Sequence, residues 1–132
     1  MAHINLIGVL IAALVSFALG ALWYSPLLFQ NYWKQAAEID VEKQLQNPLV
    51  VYSLTALLTL FSALALNILL GPNPHWRDAL GTALLLGGGI VAPSMAVNYL
   101  FVQNHSMHWA IDAGFHLVRL SLMAMVFVYW PH

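Results

Sequence analysis

The amino-acid sequence predicts an all-α membrane protein: a bundle of four transmembrane helices with short loops and with both termini on the same side. Apolar residues make up 61% of the 132 residues and charged residues only 7%, whereas about 25% of the residues in an ordinary soluble domain are charged. Residues 1–33, 44–76 and 79–111 contain no Asp, Glu, Lys or Arg. Each of these windows exceeds the roughly 20 residues that a helix needs to cross the hydrocarbon of a bilayer.

We place the four spans at residues 4–29, 48–70, 79–101 and 109–130, within a single transmembrane domain that covers residues 1–132. No segment alternates apolar and polar residues as a strand would, and backbone in lipid has to form helices or a closed barrel. The first residues lack the basic segment of a signal peptide, so the first span is predicted to be retained. The lipid bilayer is therefore the expected environment.

Small residues recur every four positions along the first span, at Gly8, Ala12, Ser16 and Gly20. They form one ridge that lets helix backbones approach closely, which is the main packing device between helices in lipid. Packing within the chain and contact with a second copy both remain open. Because a four-helix bundle leaves each span with much lipid contact, we expect a homo-oligomer that uses this ridge.

Capping and helix-breaking residues mark the limits of the second and third spans. Asn47 followed by Pro48 is typical of a helix start. Gly71 and the prolines after it end the second span, and Asp78 is predicted to cap the third. The loop at residues 30–47 carries five charged residues, and we expect either a short interfacial helix or a solvated loop there.

Helix-weakening residues interrupt the third span at Gly87, Gly88, Gly89 and Pro93. Proline has no backbone N–H, so the carbonyl of Gly89 loses its usual partner and a kink is predicted. The glycines serve either tight packing alone, or a flexible hinge or a stretch of backbone that faces a ligand.

The fourth span carries ionisable residues on one face. Asp112, His116 and Arg119 are spaced at i, i+4 and i+7, which places them within about 60° of arc on a helix. A charged residue near the middle of a membrane costs about 2.5–3.5 kcal/mol on insertion scales. Such residues usually face protein or water and pair with one another, so this face is predicted to point into the bundle.

Antiparallel spans bring further polar residues to the depth of Asp112 and His116 in one leaflet. The first and third spans end on the side where the second and fourth begin, so all four helices contribute. The additional members of this predicted polar cluster are Tyr24, Ser25, Thr55, Thr59, Asn98 and Tyr99. The cluster is either a hydrogen-bond network that fixes helix register or a vestibule for an ion, a proton or a small polar ligand.

His116 is the predicted centre of this cluster. Histidine is the one side chain whose unperturbed pKa, about 6.5, lies near physiological pH. Asp112 and Arg119 act on the pKa of His116 in opposite directions. The sequence therefore predicts a proton- or ion-responsive group and leaves the direction of its shift open.

A metal site on the fourth span is the weaker hypothesis, and no cofactor is predicted. His105, His108, Asp112 and His116 are spaced by three, four and four residues and include ligand types that zinc accepts. The first and last of them lie about 16 Å apart along a helix, so one helix does not bring all four to one ion. The absence of cysteine excludes thiolate sites and disulfides.

Three segments resemble the signature of a family of small bacterial membrane proteins called DUF1761. They are residues 20–29 (GALWYSPLLF), residues 92–101 (APSMAVNYLF) and residues 112–117 (DAGFHL). The resemblance implies a four-helix membrane protein in the bacterial cytoplasmic membrane. It implies no established activity.

Three classes of function follow from these observations. A proton- or ion-responsive transport or permeation component would use the polar cluster. A structural or accessory membrane subunit would have no chemistry of its own, and a membrane-embedded metal-binding protein is less favoured. No catalytic motif points to an enzyme, and the formal net charge of −1 argues against a nucleic-acid partner.

Overall fold

The computed structural model describes residues 4–25, 28, 47–102 and 106–130. This part of the chain forms four helices, which are α1 (Leu6–Trp23), α2 (Pro48–Leu70), α3 (Trp76–Phe101) and α4 (Ser106–Tyr129). All four are long and apolar enough to cross a membrane, and the described ranges contain no strand. The predicted all-α fold with four spans is confirmed. The loop predicted before α2 lies outside these ranges, apart from Asn47.

Asparagine side chains cap the first two helices. At the start of α1, Asn5 Oδ1 accepts a hydrogen bond of 2.9 Å from Gly8 N. At the start of α2, Asn47 Oδ1 accepts a longer bond of 3.4 Å from Val50 N, and Pro48 occupies the first turn. Both contacts satisfy backbone N–H groups that a helix leaves without an internal partner.

The start of α3 differs from the prediction. The helix begins at Trp76, and His75 is its cap, because His75 Nδ1 accepts a hydrogen bond of 3.2 Å from Arg77 N. The prediction that Asp78 caps this helix is therefore wrong. Asp78 lies in the first turn, where a carboxylate is favoured by the helix dipole.

The middle of α3 departs from α-helical geometry at the glycine run. Residues Gly87–Val91 form a π-helical segment between the α-helical segments Trp76–Leu86 and Ala92–Phe101. The N–H of Ala92 reaches back to the carbonyl of Gly87. Pro93 offers no N–H to the preceding turn, and glycines tolerate the widened turn that results.

Helix α4 is the centre of the bundle, because it contacts each of the other three helices. The core lies in the half of the bundle away from Asp112 and is built from small residues around two large ones. Met123 and Phe127 of α4 are almost fully buried. They pack with alanines from every helix, namely Ala12, Ala13, Ala63, Ala79, Ala83 and Ala124.

The small-residue ridge of α1 packs within the chain. Gly8, Ala12 and Ser16 are buried, and a Cβ on Gly20 would lie 3.4 Å from Cζ of Phe115. The ridge therefore faces the other helices of the same chain, and the expected use of this ridge as a surface for a second copy loses its support.

Helix α2 packs through its second half only. Residues 48–58 are all exposed, whereas Ala63, Leu66 and Asn67 are buried. The first half of α2 is thus loosely packed, and its contact with α1 includes the rings of Phe17 and Tyr52, whose centres lie 6.4 Å apart. A cavity lies between α1, α2 and α4 at the depth of the polar side chains.

Candidate functional site

The first of two polar groups surrounds the buried carboxylate of Asp112, which is approached by side chains from three helical regions. Asp112 Oδ1 accepts a hydrogen bond of 2.5 Å from the hydroxyl of Tyr24, and Asp112 Oδ2 accepts one from the hydroxyl of Tyr99. Nε2 of His108, one turn earlier on α4, lies 3.1 Å from Asp112 Oδ2. We call these four residues the carboxylate cluster.

Burial of Asp112 is tolerated because these donors replace water around its oxygens. Tyr24 is the residue that follows α1. Its hydroxyl donates to Asp112 only while it keeps its proton, which depends on its pKa. Burial and the hydrogen bond to Asp112 raise the pKa of Tyr24 above its ordinary value. The Tyr24 hydroxyl therefore keeps its proton at physiological pH and stays bonded to Asp112.

Two indole rings fasten this end of α4 to its neighbours. Trp23 Nε1 donates a hydrogen bond of 3.1 Å to the carbonyl of Ile111, and Trp109 Nε1 donates one of 2.9 Å to the carbonyl of Ala92. A Cβ on Gly114 would lie 3.3 Å from Cζ2 of Trp23. These contacts fix the depth of α4 relative to α1 and α3.

Arg119 is the centre of the second polar group. Its Nε donates a hydrogen bond of 3.0 Å to Nδ1 of His116. The two terminal nitrogens reach hydroxyl groups only at long distance, Ser16 Oγ at 3.5 Å and Ser62 Oγ at 3.4 Å. The guanidinium also lies over the ring of Phe115, with 6.0 Å between its carbon and the ring centre.

Arg119 has no carboxylate partner in the part of the chain that the structure describes. The contact at ion-pair distance found there joins His108 to Asp112. Asp112 and Arg119 are seven residues apart, which corresponds to about 10 Å along the helix. The described partners of the Arg119 guanidinium are therefore two hydroxyl groups, an imidazole and the ring of Phe115.

The hydrogen bond from Arg119 determines which nitrogen of His116 carries the proton. Because Nδ1 accepts, a neutral His116 ring has its proton on Nε2. Nε2 is then a second donor beside the guanidinium. A protonated ring would lose the acceptor and would place a second positive charge next to Arg119.

A cavity of about 680 Å³ lies between α1, α2 and α4 and contains the Arg119 group. We call it the Arg119 cavity. Its lining comprises Ser16, Phe17, Gly20, Ala21, Tyr24 and Ser25 from the first helical region, Tyr52, Thr55, Leu58, Thr59 and Ser62 from α2, and Phe115, His116 and Arg119 from α4.

Most hydroxyl protons in this lining are engaged by the helices that carry them. Thr55 and Thr59 each donate a hydrogen bond of 2.7 Å to a carbonyl one turn earlier in α2. Ser62 and Ser25 donate to carbonyls of their own segments at 3.1 and 2.6 Å. Arg119 and His116 are therefore the strong donors that the cavity offers to a ligand.

A family model of proteins of unknown function, DUF1761, matches residues 7–128. The chain belongs to the DUF1761 family. No curated protein and no solved structure matches it. All residues of the two polar groups of this DUF1761 chain lie within the matched region.

The structure divides the predicted polar cluster of this DUF1761 chain into two groups. Tyr24, Tyr99 and Asp112 meet in the carboxylate cluster. His116 and Arg119 bond to each other in the cavity, and Ser25, Thr55 and Thr59 lie on its wall. Asn98 is exposed on α3 and belongs to neither group. Tyr24 joins the two, since it bonds to Asp112 and also lines the cavity.

The hypothesis of a metal set on α4 finds no support in the described residues. They contain no group of three His, Cys, Asp or Glu side chains that could hold an ion. His108 approaches Asp112, whereas His116 turns to Arg119. His105 lies outside the described residues.

Several functional contacts were not visible in the sequence. Ser16 was assigned to helix packing, yet its hydroxyl faces Arg119. Ser62 is not among the predicted members of the polar cluster, yet it also reaches Arg119. The depth of each residue in the membrane could have indicated both contacts, because Arg119 lies about 10 Å further along α4 than Asp112.

A third polar network, formed by Asn5, Asn67 and Trp130, lies at the other end of the bundle. Asn5 N donates a hydrogen bond of 2.9 Å to Oδ1 of Asn67, and the Asn5 side chain donates to the carbonyl of Trp130. Both asparagines are buried. The network joins α2 to the start of α1 and the end of α4 and has a structural role.

Proposed function

We propose that this DUF1761 protein is a membrane-embedded component that binds an anionic group in the Arg119 cavity and lets it move between the membrane surface and the interior of the bundle. The observation that carries this proposal is the position of Arg119. It is a cation within a span, faces a cavity, and has no carboxylate partner among the described residues. Charged residues placed in this way usually mark the path of a substrate or an ion.

The geometry of the Arg119 group suits a carboxylate or a phosphate oxygen. A guanidinium offers a planar fork of donors that matches such groups. Its bonds to Ser16 and Ser62 are close to the distance limit of a hydrogen bond, so an anion replaces them at little cost. His116 holds the Nε edge of Arg119, which leaves the two terminal nitrogens for the anion.

The same geometry supports a proton-responsive site. Protonation of His116 adds a positive charge beside the bound anion, and the other cavity groups that ionise are Arg119 and the phenols of Tyr24 and Tyr52. A bound anion therefore favours proton uptake by His116, and by linkage the proton favours the anion. Anion and proton would move through the protein together.

A second candidate function is that of a structural or accessory membrane subunit. The carboxylate cluster favours it, because Asp112 already receives hydrogen bonds from Tyr24 and Tyr99 and lies beside His108. A site saturated in this way holds helices in register without binding anything. This role is compatible with the cavity, which lies one to two turns further along α4.

The proposed setting is the bacterial cytoplasmic membrane, with the chain in a homo-oligomer. The setting rests on the four apolar helices and on the family resemblance. For self-association the relevant surface is the first half of α2, where residues 48–58 are all exposed.

Replacement of Arg119 tests the proposed function. We expect the wild-type protein in uncharged lipid nanodiscs to bind butyrate, and Arg119→Gln to weaken this binding by tenfold or more, since a charge-assisted hydrogen bond contributes about 1.5–3 kcal/mol. Isothermal titration calorimetry measures both affinities. Arg77→Gln is the matched control, because Arg77 lies at the exposed start of α3, over Trp76 and outside the cavity.

Equal affinities of wild type and Arg119→Gln for every anion tested would contradict the proposed function. The structural role would then be the better explanation of the polar residues.

A further inference from the structure

We infer that the ligand of the Arg119 cavity is an amphiphilic anion, whose carboxylate or phosphate head meets Arg119 while an apolar chain lies along the walls formed by α1 and α2. This inference rests on the proposed function and deepens it by naming the class of ligand. It is carried by the unequal distribution of donors within the cavity and by the way the cavity borders on lipid.

The strong donors of the cavity, Arg119 and His116, both belong to α4. Arg119 can hold one anionic group in its guanidinium fork, and His116 offers Nε2 as a further donor in the same cavity. A cavity of about 680 Å³ falls in the range of about 300–1,000 Å³ typical of sites for drug-sized molecules. A carboxylate or phosphate head fills a small part of it, so most of the ligand has to lie against the remaining walls.

Those walls suit a hydrocarbon chain. Phe17, Ala21, Leu58 and Phe115 contribute apolar surface. The hydroxyl protons of the α2 threonines are engaged by their own backbone, so this wall has few donors left for the polar body of a sugar or a nucleotide. A chain of methylene groups needs no such donors and gains from the apolar contact.

The cavity also borders on lipid. The exposed fraction is 62% for Leu58 and 37% for Phe17, although both line the cavity. The first half of α2 is exposed along its whole length. An amphiphile already resident in the bilayer reaches Arg119 sideways between α1 and α2, whereas a free hydrophilic anion has to leave water first.

Spin-labelled lipids test this inference directly. Wild-type protein is placed in nanodiscs of uncharged lipid with spin-labelled stearate, spin-labelled methyl stearate or spin-labelled phosphatidic acid, and the immobilised fraction is measured by electron paramagnetic resonance at pH 8. We expect an association constant for at least one of the two anionic probes about tenfold above that of methyl stearate. This preference should disappear in Arg119→Gln and persist in Arg77→Gln.

The two anionic probes distinguish the sources of the head group, since stearate carries a carboxylate and phosphatidic acid a phosphate. A preference for either supports the inference. Butyrate separates the inference from the proposed function: if butyrate displaces spin-labelled stearate at concentrations comparable to those of unlabelled stearate, the anion site stands and the amphiphilic ligand is refuted. Identical immobilisation of all probes in wild type and Arg119→Gln, together with no butyrate binding, overturns both.

Discussion

Asp112 and Arg119 lie in the same helix with opposite charges, and each has its own set of partners. Asp112 accepts hydrogen bonds from two phenols and lies beside an imidazole, whereas Arg119 donates hydrogen bonds to His116 and to two serines. An anion that enters the cavity therefore meets a cation that no carboxylate of the described residues neutralises at close range. The separation of the two charges is what makes the Arg119 cavity suitable for an anion.

Replacement of Asp112 tests the carboxylate cluster at the scale of one residue. Asp112→Asn removes the charge and one acceptor oxygen, so one of the hydroxyls of Tyr24 and Tyr99 meets an amide NH₂ group. We expect the free energy of unfolding to fall by about 1–3 kcal/mol, the cost of leaving a buried polar group unsatisfied. Thermal unfolding in detergent, followed by circular dichroism, measures this loss.

Asp78→Asn is the matched control for Asp112→Asn, because Asp78 is exposed in the first turn of α3. The control should change the melting temperature little. Equal melting temperatures for Asp112→Asn and wild type would show that the carboxylate cluster does not stabilise the bundle.

We expect His116 to make anion binding depend on pH. Binding of the anionic ligand should strengthen as the pH falls through the titration of this imidazole, because the protonated ring adds positive charge to the cavity. In His116→Gln the amide oxygen still accepts from Arg119 Nε but does not titrate. Calorimetric affinities measured at successively lower pH should therefore rise in the wild type and stay flat in the variant.

Parallel pH profiles of the wild type and His116→Gln would exclude His116 as the responsive group. The Arg119 site would remain, without a coupled proton.

At the scale of the elements, the close approach of α3 and α4 depends on one glycine. A Cβ on Gly87 would lie 2.9 Å from Cδ1 and 3.0 Å from Cα of Leu117. The second distance involves backbone, which does not move aside as the end of a side chain does. The sequence predicted a kink at the glycine run and offered tight packing as one role of its glycines. The structure adds that residues Gly87–Val91 are π-helical and that Leu117 of α4 is the packing partner of Gly87.

Gly87→Ala should push α3 away from α4. We expect a loss of about 1–3 kcal/mol in the free energy of unfolding, as for other insertions of volume into a packed core. Gly81→Ala is the matched control on the same helix, because nothing lies within 4 Å of its added Cβ. There the higher helix propensity of alanine should stabilise by about 0.5–1 kcal/mol.

Melting temperatures of the two alanine variants provide the comparison, and their shifts should have opposite signs. If Gly87→Ala melts as high as Gly81→Ala, the contact with Leu117 does not limit the packing of these helices.

At the scale of the whole molecule, one end of the bundle is tightly packed and the other contains the Arg119 cavity. Asn5, Asn67 and Trp130 join α2 to both ends of the described chain, and the alanine-rich core lies nearby. Towards the carboxylate cluster, the first half of α2 is exposed and lines the Arg119 cavity. The protein thus combines a rigid half with a half that offers access to Arg119.

The number of spans is tested on the whole molecule by labelling. The chain contains no cysteine, so Asp40→Cys and His75→Cys each introduce a single thiol. Because one helix, α2, separates the two positions, an impermeant maleimide should label them from opposite sides of the membrane. Labelling of both cysteines from the same side would contradict the arrangement of four spans.

The sequence by itself determined the class of the fold and the number of helices. Charge-free windows of this length leave a chain in lipid one solution, the spanning helix, and the limits of α2 follow from the cap at Asn47 and from Gly71. The spacing of Asp112, His116 and Arg119 also fixed their common face, because helical periodicity is a local property.

Only the tertiary structure decided which of these polar side chains meet. Whether Tyr24 and Tyr99 reach Asp112, or Ser16 and Ser62 reach Arg119, depends on the relative depth and tilt of separate helices. No local pattern encodes those quantities, since they result from the packing of glycines and alanines between helices. For this physical reason the sequence predicted one polar cluster at one depth, whereas the structure divides it into the carboxylate cluster and the Arg119 group.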